Sequence, residues 1–205
     1  MKVYAELPTL TGRLLKKVIM KRLFDFIVAL TALIILAIPL GIIAVLIRLT
    51  SPGPALYWSN RVGLHSEIFR MPKFRTMRTD TPVVATHLLS NPDAYITPIG
   101  KVLRKTSIDE LPQLWSILKG DMSFVGPRPA LFTQDDLIAL RKENGIDTVL
   151  PGLTGWAQIN GRDELAIPDK VALEVEYLQR RSFGFDLKIL LITFIKTIKR
   201  DGVTH

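Results

Sequence analysis

From Phe26 to Ile47 the chain carries no charged residue. Those 22 positions form a helix of about 33 Å at about 1.5 Å per residue, enough to reach across the hydrocarbon of a bilayer. Pro39 lies near the middle of the run. An interior proline removes one backbone hydrogen bond and crowds the preceding turn, costing about 3 kcal/mol unless the axis turns, so a bend is expected there. Basic residues stand on both sides of the run, Arg13, Lys16, Lys17, Lys21 and Arg22 before it and Arg48, Arg61, Arg70, Lys73, Arg75 and Arg78 after it. A single crossing concentrates its cations on the cytoplasmic side. Two basic flanks therefore predict a re-entrant segment that enters and leaves by one face, and an ordinary single span followed by a basic domain is the alternative.

The pattern then shortens. Ser51-Pro52-Gly53-Pro54 reads as a turn and Ala55-Leu56-Tyr57-Trp58 as a short strand. Thr79 to Pro98 reads as a polar surface excursion broken by prolines. Leu111, Leu114, Trp115 and Leu118 line up on one face of a helix that Gly120 stops. A second helix is predicted from Pro168 to Arg181. Near the C-terminus Ile189 to Ile195 is apolar but far too short to cross a membrane. On a helical wheel Lys188, Lys196 and Lys199 share one narrow face, which suits either a helix lying in the headgroup layer or a core helix with a solvated edge. Three parts follow: an N-terminal extension over 1–20, the re-entrant helix over 21–50, and a cytoplasmic catalytic domain over 51–205 that ends in an interfacial helix. The expected fold is mixed α/β, helix-dominated around a small sheet.

Composition narrows the chemistry. The 205 residues suit one compact domain, and 27 Lys and Arg against 19 Asp and Glu leave +8, which favours anionic partners such as phosphates or an acidic lipid surface. With no cysteine, disulfides, thiolate metal sites and thiol nucleophiles are excluded. His65, His87 and His205 have no metal-ligand spacing, and GxxxxGK[ST], GxGxxG and Gly-x-Ser-x-Gly are all absent. The cations alternate with proline turns and form no reading motif, so no nucleic-acid partner is expected.

Asp109-Glu110 follows Arg104 and Lys105 at the mouth of the predicted helix. Ser107-x-x-Glu110 matches a capping box, but in that register Pro112 would break a helical bond; with Asp109 as N-cap the proline falls harmlessly in the first turn. Either register sets Asp109 where free N–H groups and the helix dipole favour an anion. A carboxylate beside phosphate can attack phosphorus, and its neighbour can hold a divalent ion. Arg128, fixed between Pro127 and Pro129, Lys73 and Arg75 in Lys73-Phe74-Arg75-Thr76-Met77-Arg78, and Arg162 at the end of a glycine-rich stretch are the other phosphate candidates.

Six segments in order, Lys21-Arg22-x-Phe24-Asp25, Ser51-Pro52-Gly53-Pro54, Lys73-Phe74-Arg75-Thr76-Met77, Ser107-Ile108-Asp109-Glu110-Leu111-Pro112-Gln113-Leu114, Lys119 through Pro129, and Pro151-Gly152-Leu153-Thr154-Gly155-Trp156, together resemble the bacterial sugar transferases of the monotopic phosphoglycosyl transferase family. The likeness runs from about Lys21 to Val203, leaving the first 20 residues without a counterpart. The four-helix membrane domain of the family's long members has no counterpart here either, so the likeness is to the small branch. It implies transfer of a sugar 1-phosphate from a UDP-sugar to a polyprenol phosphate, undecaprenyl phosphate in bacteria, on the inner face of the cytoplasmic membrane, with release of UMP: the first membrane step of glycoconjugate synthesis. It implies Asp109 as nucleophile through an aspartyl phosphosugar, Glu110 as ligand of Mg2+, and Arg128, Arg162, Lys73, Arg75 and Arg104 around the phosphates. Membrane lipids, and a second copy of the chain or downstream glycosyltransferases, are the further partners it admits. Glu174 stands where the family more often has Asp, which would bear on specificity if that position meets nucleotide or sugar. A lipid-linked phosphate hydrolase using the same acidic pair and a membrane-bound scaffold are the competing readings.

Overall fold

The computed structural model describes residues 12–82, 92–161 and 165–199. Residues 83–91, within the expected surface excursion, lie outside that set, as do Arg162, His87 and His205.

Helix α1 spans Gly12–Thr50, 39 residues with Pro39 inside it. It is helical on both sides of the proline, the position where the sequence predicts a bend. Its inward and outward sides are both apolar. Ala29 is fully buried, and Ala32 and Ala44 also face the rest of the molecule, whereas Ile34, Ile35, Ile38, Ile42 and Leu49 are exposed. Leu33, Leu36, Leu40, Ile43 and Ile47 pack on the domain beside the alanines, and the outward apolar side chains face a medium that cannot be water without heavy cost.

Both ends of α1 are fastened to the same domain. Near the start, Lys21 Nζ donates to Asp186 at 2.5 Å and to the Val125 carbonyl at 3.1 Å, while Arg22 forks onto the carbonyls of Ile117 and Leu118 at 2.5 and 2.7 Å. Near the end, Ile47 is buried with Phe74 and Leu103. The Arg75 guanidinium donates to the carbonyl of Ser51 at 2.8 Å and to that of Pro52, tying down the exit from the helix.

Strands β1 (Leu56–Val62) and β2 (Ile68–Phe74) form an antiparallel hairpin with Leu56 opposite Phe74 and Val62 opposite Ile68. The expected strand at residues 55–58 is thus real and longer. Strand β2 goes unread in the sequence because Pro72 sits in it; the proline is tolerated because β2 is the edge of the three-stranded sheet. Helix α2 (Pro98–Lys105) starts with Thr97 as N-cap, its hydroxyl accepting from Gly100 N at 3.0 Å, and with proline in its first turn. A 3-10 turn (Ile108–Gln113) leads into α3 (Leu114–Lys119), which Gly120 ends at φ 97°. Strand β3 (Ser123–Val125), β4 (Ala130–Leu131), α4 (Asp135–Glu143), β5 (Gly152–Thr154), α5 (Trp156–Ile159), α6 (Ile167–Arg180) and α7 (Phe183–Lys199) complete the order. β4 joins the hairpin and β3 pairs in parallel with β5, so the described residues form two small sheets rather than one.

Helix α7 packs one side on the domain, with Phe185 and Ile189 buried against Val125, Ile159 and Tyr177. Lys188 and Lys196 stand exposed, the Lys196 ammonium donating to the Ile159 carbonyl at 2.6 Å, and the side chain of Lys199 lies outside the described set. The neighbouring outward positions are apolar, with Leu187, Leu191, Phe194 and Ile195 exposed. Glu174 is also placed otherwise than a sugar or nucleotide ligand would be: buried at 2% exposure, it grips Arg141 of α4 through both carboxylate oxygens.

Candidate active site

Ser107 adopts a left-handed conformation, φ 56°, which strains a residue that carries a Cβ. Its effect is to turn the chain sharply out of α2, so that Asp109 and Glu110 begin a 3-10 turn instead of an α-helix. The capping box does not form. Ser107 makes no side-chain cap, and the Glu110 carboxylate turns away to Lys73 at 2.7 Å and Arg128 at 3.1 Å, both on Oε1. Pro112, the residue that spoils the capping-box register in the sequence, lies inside the 3-10 turn and ahead of α3, where its missing N–H breaks no α-helical bond.

The cations come from four separate segments. Lys73 is on β2, and strand alternation sets it on the same face of the hairpin as Arg61 of β1. Arg128 is aimed by a crossing of two glycine-rich segments. A Cβ on Gly126 would lie 2.3 Å from the Leu150 carbonyl oxygen, one on Gly152 2.1 Å from Gly126 N, and one on Gly155 2.1 Å from the Gly126 carbonyl oxygen. Only glycine permits that approach. Hydrogen bonds from Gly126 N to Thr154 O at 2.9 Å and from Gly152 N to Pro127 O at 2.8 Å then lock the crossing. Arg104, in the last turn of α2, donates to Thr76 at 2.9 Å; burial lowers its pKa and the nearby Asp109 carboxylate opposes that without reversing it.

Electrostatics follow from this crowding. Burial alone would push the Glu110 carboxyl up, but Lys73 and Arg128 outweigh it and hold the group far below the usual carboxylate range. Lys73 is pushed the other way for a cation. Burial lowers its pKa, Glu110 opposes that, Arg128 and Arg61 add to it, and the outcome is an ammonium that loses its proton more readily than an ordinary lysine.

The structure therefore brings Asp109, Glu110, Lys73, Arg104 and Arg128 together. Arg75 stands apart, its guanidinium spent on the carbonyls that close α1; it is a structural tether and not part of the basic surround expected for it. Arg162 lies outside the described residues. Arg61 is the member that sequence reading missed as a site residue. It donates to the Pro129 carbonyl at 3.1 Å and to Ser59 at 3.0 Å, bracing the Arg128 segment from β1. Its signal in the sequence was the period-two spacing of Ser59 and Arg61, legible only once β1 is known to extend past Trp58.

Residues 16–200 match the family model described as bacterial sugar transferase, so the similarity begins a few residues ahead of Lys21. The chain is 41% identical over 185 residues to a Bacillus subtilis protein named uncharacterized sugar transferase EpsL, covering 90% of each. It is 41% identical over 192 residues to an undecaprenyl-phosphate glucose phosphotransferase of Komagataeibacter xylinus, covering 88% of this chain and 35% of the relative. It is 37% identical over 201 residues to an undecaprenyl-phosphate galactose phosphotransferase of Salmonella typhimurium, covering 89% of this chain and 41% of the relative. The chain thus spans most of one relative's length and less than half of the other two.

Proposed function

Because this chain belongs to the bacterial sugar transferase family, we propose that it transfers a sugar 1-phosphate from a UDP-sugar to a polyprenol phosphate, undecaprenyl phosphate in bacteria, and releases UMP. The observation that carries this reading is the pairing of Asp109 and Glu110 on one strained turn within a ring of Lys73, Arg104 and Arg128, beside a helix whose outer face is apolar. A carboxylate held among cations is placed to meet a pyrophosphate and attack it.

In the proposed chemistry a carboxylate oxygen of Asp109 forms a bond to the β-phosphorus of the donor. The bond from that phosphorus to the bridging oxygen breaks, and the electron pair leaves with UMP. The oxygen of the polyprenol phosphate then attacks the same phosphorus, and the Asp109 carboxylate departs unchanged. Lys73 and Arg128, bound to Glu110 before substrate arrives, are positioned to neutralise the pyrophosphate oxygens, and Arg104 orients Asp109. Magnesium fits the donor set. A carboxylate or two with substrate phosphates and water is its usual coordination, and Asp109 and Glu110 are adjacent carboxylates on one turn. Glu110, with Asp109 beside it, would hold the ion, which when bound neutralises charge on the phosphates.

We place the enzyme at the inner bacterial membrane with its catalytic domain in the cytoplasm. Support comes from α1 being fastened to one domain at both ends, which suits a segment that enters and leaves by one face and turns near Pro39. Purified protein with Mg2+ and a panel of UDP-sugars should release UMP through many turnovers only when undecaprenyl phosphate is present, and the donor that works names the sugar. Continuous release without the lipid would identify a hydrolase, and no release with any donor would leave the scaffold reading.

The lowered pKa of Lys73 sets a pH limit. As pH rises, Lys73 loses its charge before an ordinary lysine would, so kcat/KM for UMP release should fall on the alkaline side below the usual lysine range. Lys73→Arg, which keeps its charge, should shift that limb to higher pH even if the peak rate is lower. An unmoved limb would show that another group titrates there.

A further inference from the structure

We propose that the apolar cavity between α1 and the β1–β2 hairpin seats the isoprenoid chain of the acceptor next to its phosphate. The inference rests on the transferase reading and extends it to a binding site for the lipid itself. The cavity measures about 590 Å³, within the size range of small-molecule sites. Leu33, Leu40 and Gly41 of α1 line one side and Trp58, Pro112 and Trp115 the other.

Its position relative to the charged site selects the occupant. Pro112 belongs to the same 3-10 turn as Asp109 and Glu110. On β2 the alternation of side chains sends Lys73 to Glu110 while its neighbours Pro72 and Phe74 line the cavity. One strand and one turn thus form the boundary between a site for phosphate and a site for hydrocarbon. A molecule that fills both is a phosphate monoester on an apolar chain, with its first units held against the cavity wall. Trp58 and Trp115 remain 40% and 49% exposed, as indoles do where a hydrocarbon site meets a polar boundary. Bulk phospholipid would satisfy the apolar wall alone; the acceptor is the lipid whose phosphate has to reach Asp109, and continuity with that turn favours it.

Gly41 gives a way to test this. It sits in a helix and lines the cavity, and a Cβ built there meets nothing within 4 Å, so Gly41→Leu starts from open space, adds bulk at the cavity and has better helix propensity. In nanodiscs Gly41→Leu should raise KM for undecaprenyl phosphate about tenfold while KM for the UDP-sugar stays within about twofold. A second measurement does not depend on a variant: a prenyl phosphate with a diazirine in its second isoprene unit should label peptides containing residues 33–44 and Trp115 of the wild-type chain. Excess undecaprenyl phosphate should suppress the labelling and phosphatidylglycerol should not. Labelling elsewhere, equal competition by phosphatidylglycerol, or an unchanged acceptor KM in Gly41→Leu would overturn the assignment. Any of those results from a wild-type protein that releases UMP defeats this inference alone, whereas a wild-type protein that releases none defeats the transferase reading on which it rests.

Discussion

Asp109→Asn is expected to lower steady-state UMP release by roughly 10⁴-fold or more, the scale seen when a covalent nucleophile is removed. The substitution keeps shape and hydrogen-bonding capacity and removes only the charge and nucleophilicity of the carboxylate. Asp109 is partly exposed at the head of its turn, so the melting temperature should move by no more than a few degrees. That combination separates chemistry from folding. Glu110→Gln offers the contrast: its carboxylate is the shared partner of Lys73 and Arg128, and losing the charge leaves two cations facing each other in a poorly solvated site. Stability and activity should therefore fall together in Glu110→Gln but part company in Asp109→Asn. Intact mass after incubation with donor alone checks the step directly. Wild-type protein should gain one sugar phosphate, and Asp109→Asn should gain none. A variant that retains the rate within tenfold, or gains the adduct, would remove Asp109 from the role of nucleophile. Asp109→Ala, measured in parallel, excludes recovery of activity through deamidation of the asparagine.

How far the sequence could be read depends on where each residue's partner lies. Gly120 as a helix stop, α6 from its proline start and the first strand were legible because turn chemistry and apolar spacing are local. So was the conflict between Ser107-x-x-Glu110 and Pro112, which the 3-10 turn resolves. Residues bonded across the chain were misread. Arg75 sits in a basic run and looks like its neighbour Lys73, yet its guanidinium reaches back 24 positions to Ser51, and Lys73 reaches forward 37 to Glu110. Lys196 shares an exposed face with Lys188, and only the packing of α7 against α5 shows that its ammonium also reaches the Ile159 carbonyl. Strand β2 was hidden by Pro72, whose meaning changes once the strand is an edge. The acidic pair and Arg128 could be picked out as candidates because their motifs are local, whereas the strained Ser107 turn and the glycine crossing that hold them appear only in the fold.

Glu174→Ala is expected to destabilise the protein by about 3–5 kcal/mol, the usual cost of leaving one member of a buried ion pair without its partner. The Arg141 and Glu174 side chains are only 10% and 3% exposed. Arg141 Nε donates to Oε2 at 2.8 Å and a second guanidinium nitrogen to Oε1, a two-pronged contact that joins α4 to α6 beside the cluster of Ala130, Leu137, Ile146 and Val171. At roughly 2–4 °C per kcal/mol for a chain of this size, the melting temperature should drop by roughly 6–20 °C. The same experiment decides what this position does. Had Glu174 met nucleotide or sugar, its loss would raise KM for the UDP-sugar with little change in melting. As half of a buried pair remote from Glu110 in its contacts, it should do the reverse: a large fall in melting temperature, with an unchanged KM for the donor in the protein that remains folded. The double substitution Arg141→Met with Glu174→Leu supplies the control, since replacing both charges with apolar side chains of similar length removes the orphaned cation that makes the single change costly. Recovery of most of the lost stability in the double variant would assign the cost to the unpaired charge. No recovery would assign it to the packing of α6 against α4, and a shifted donor KM in either variant would return Glu174 to the substrate.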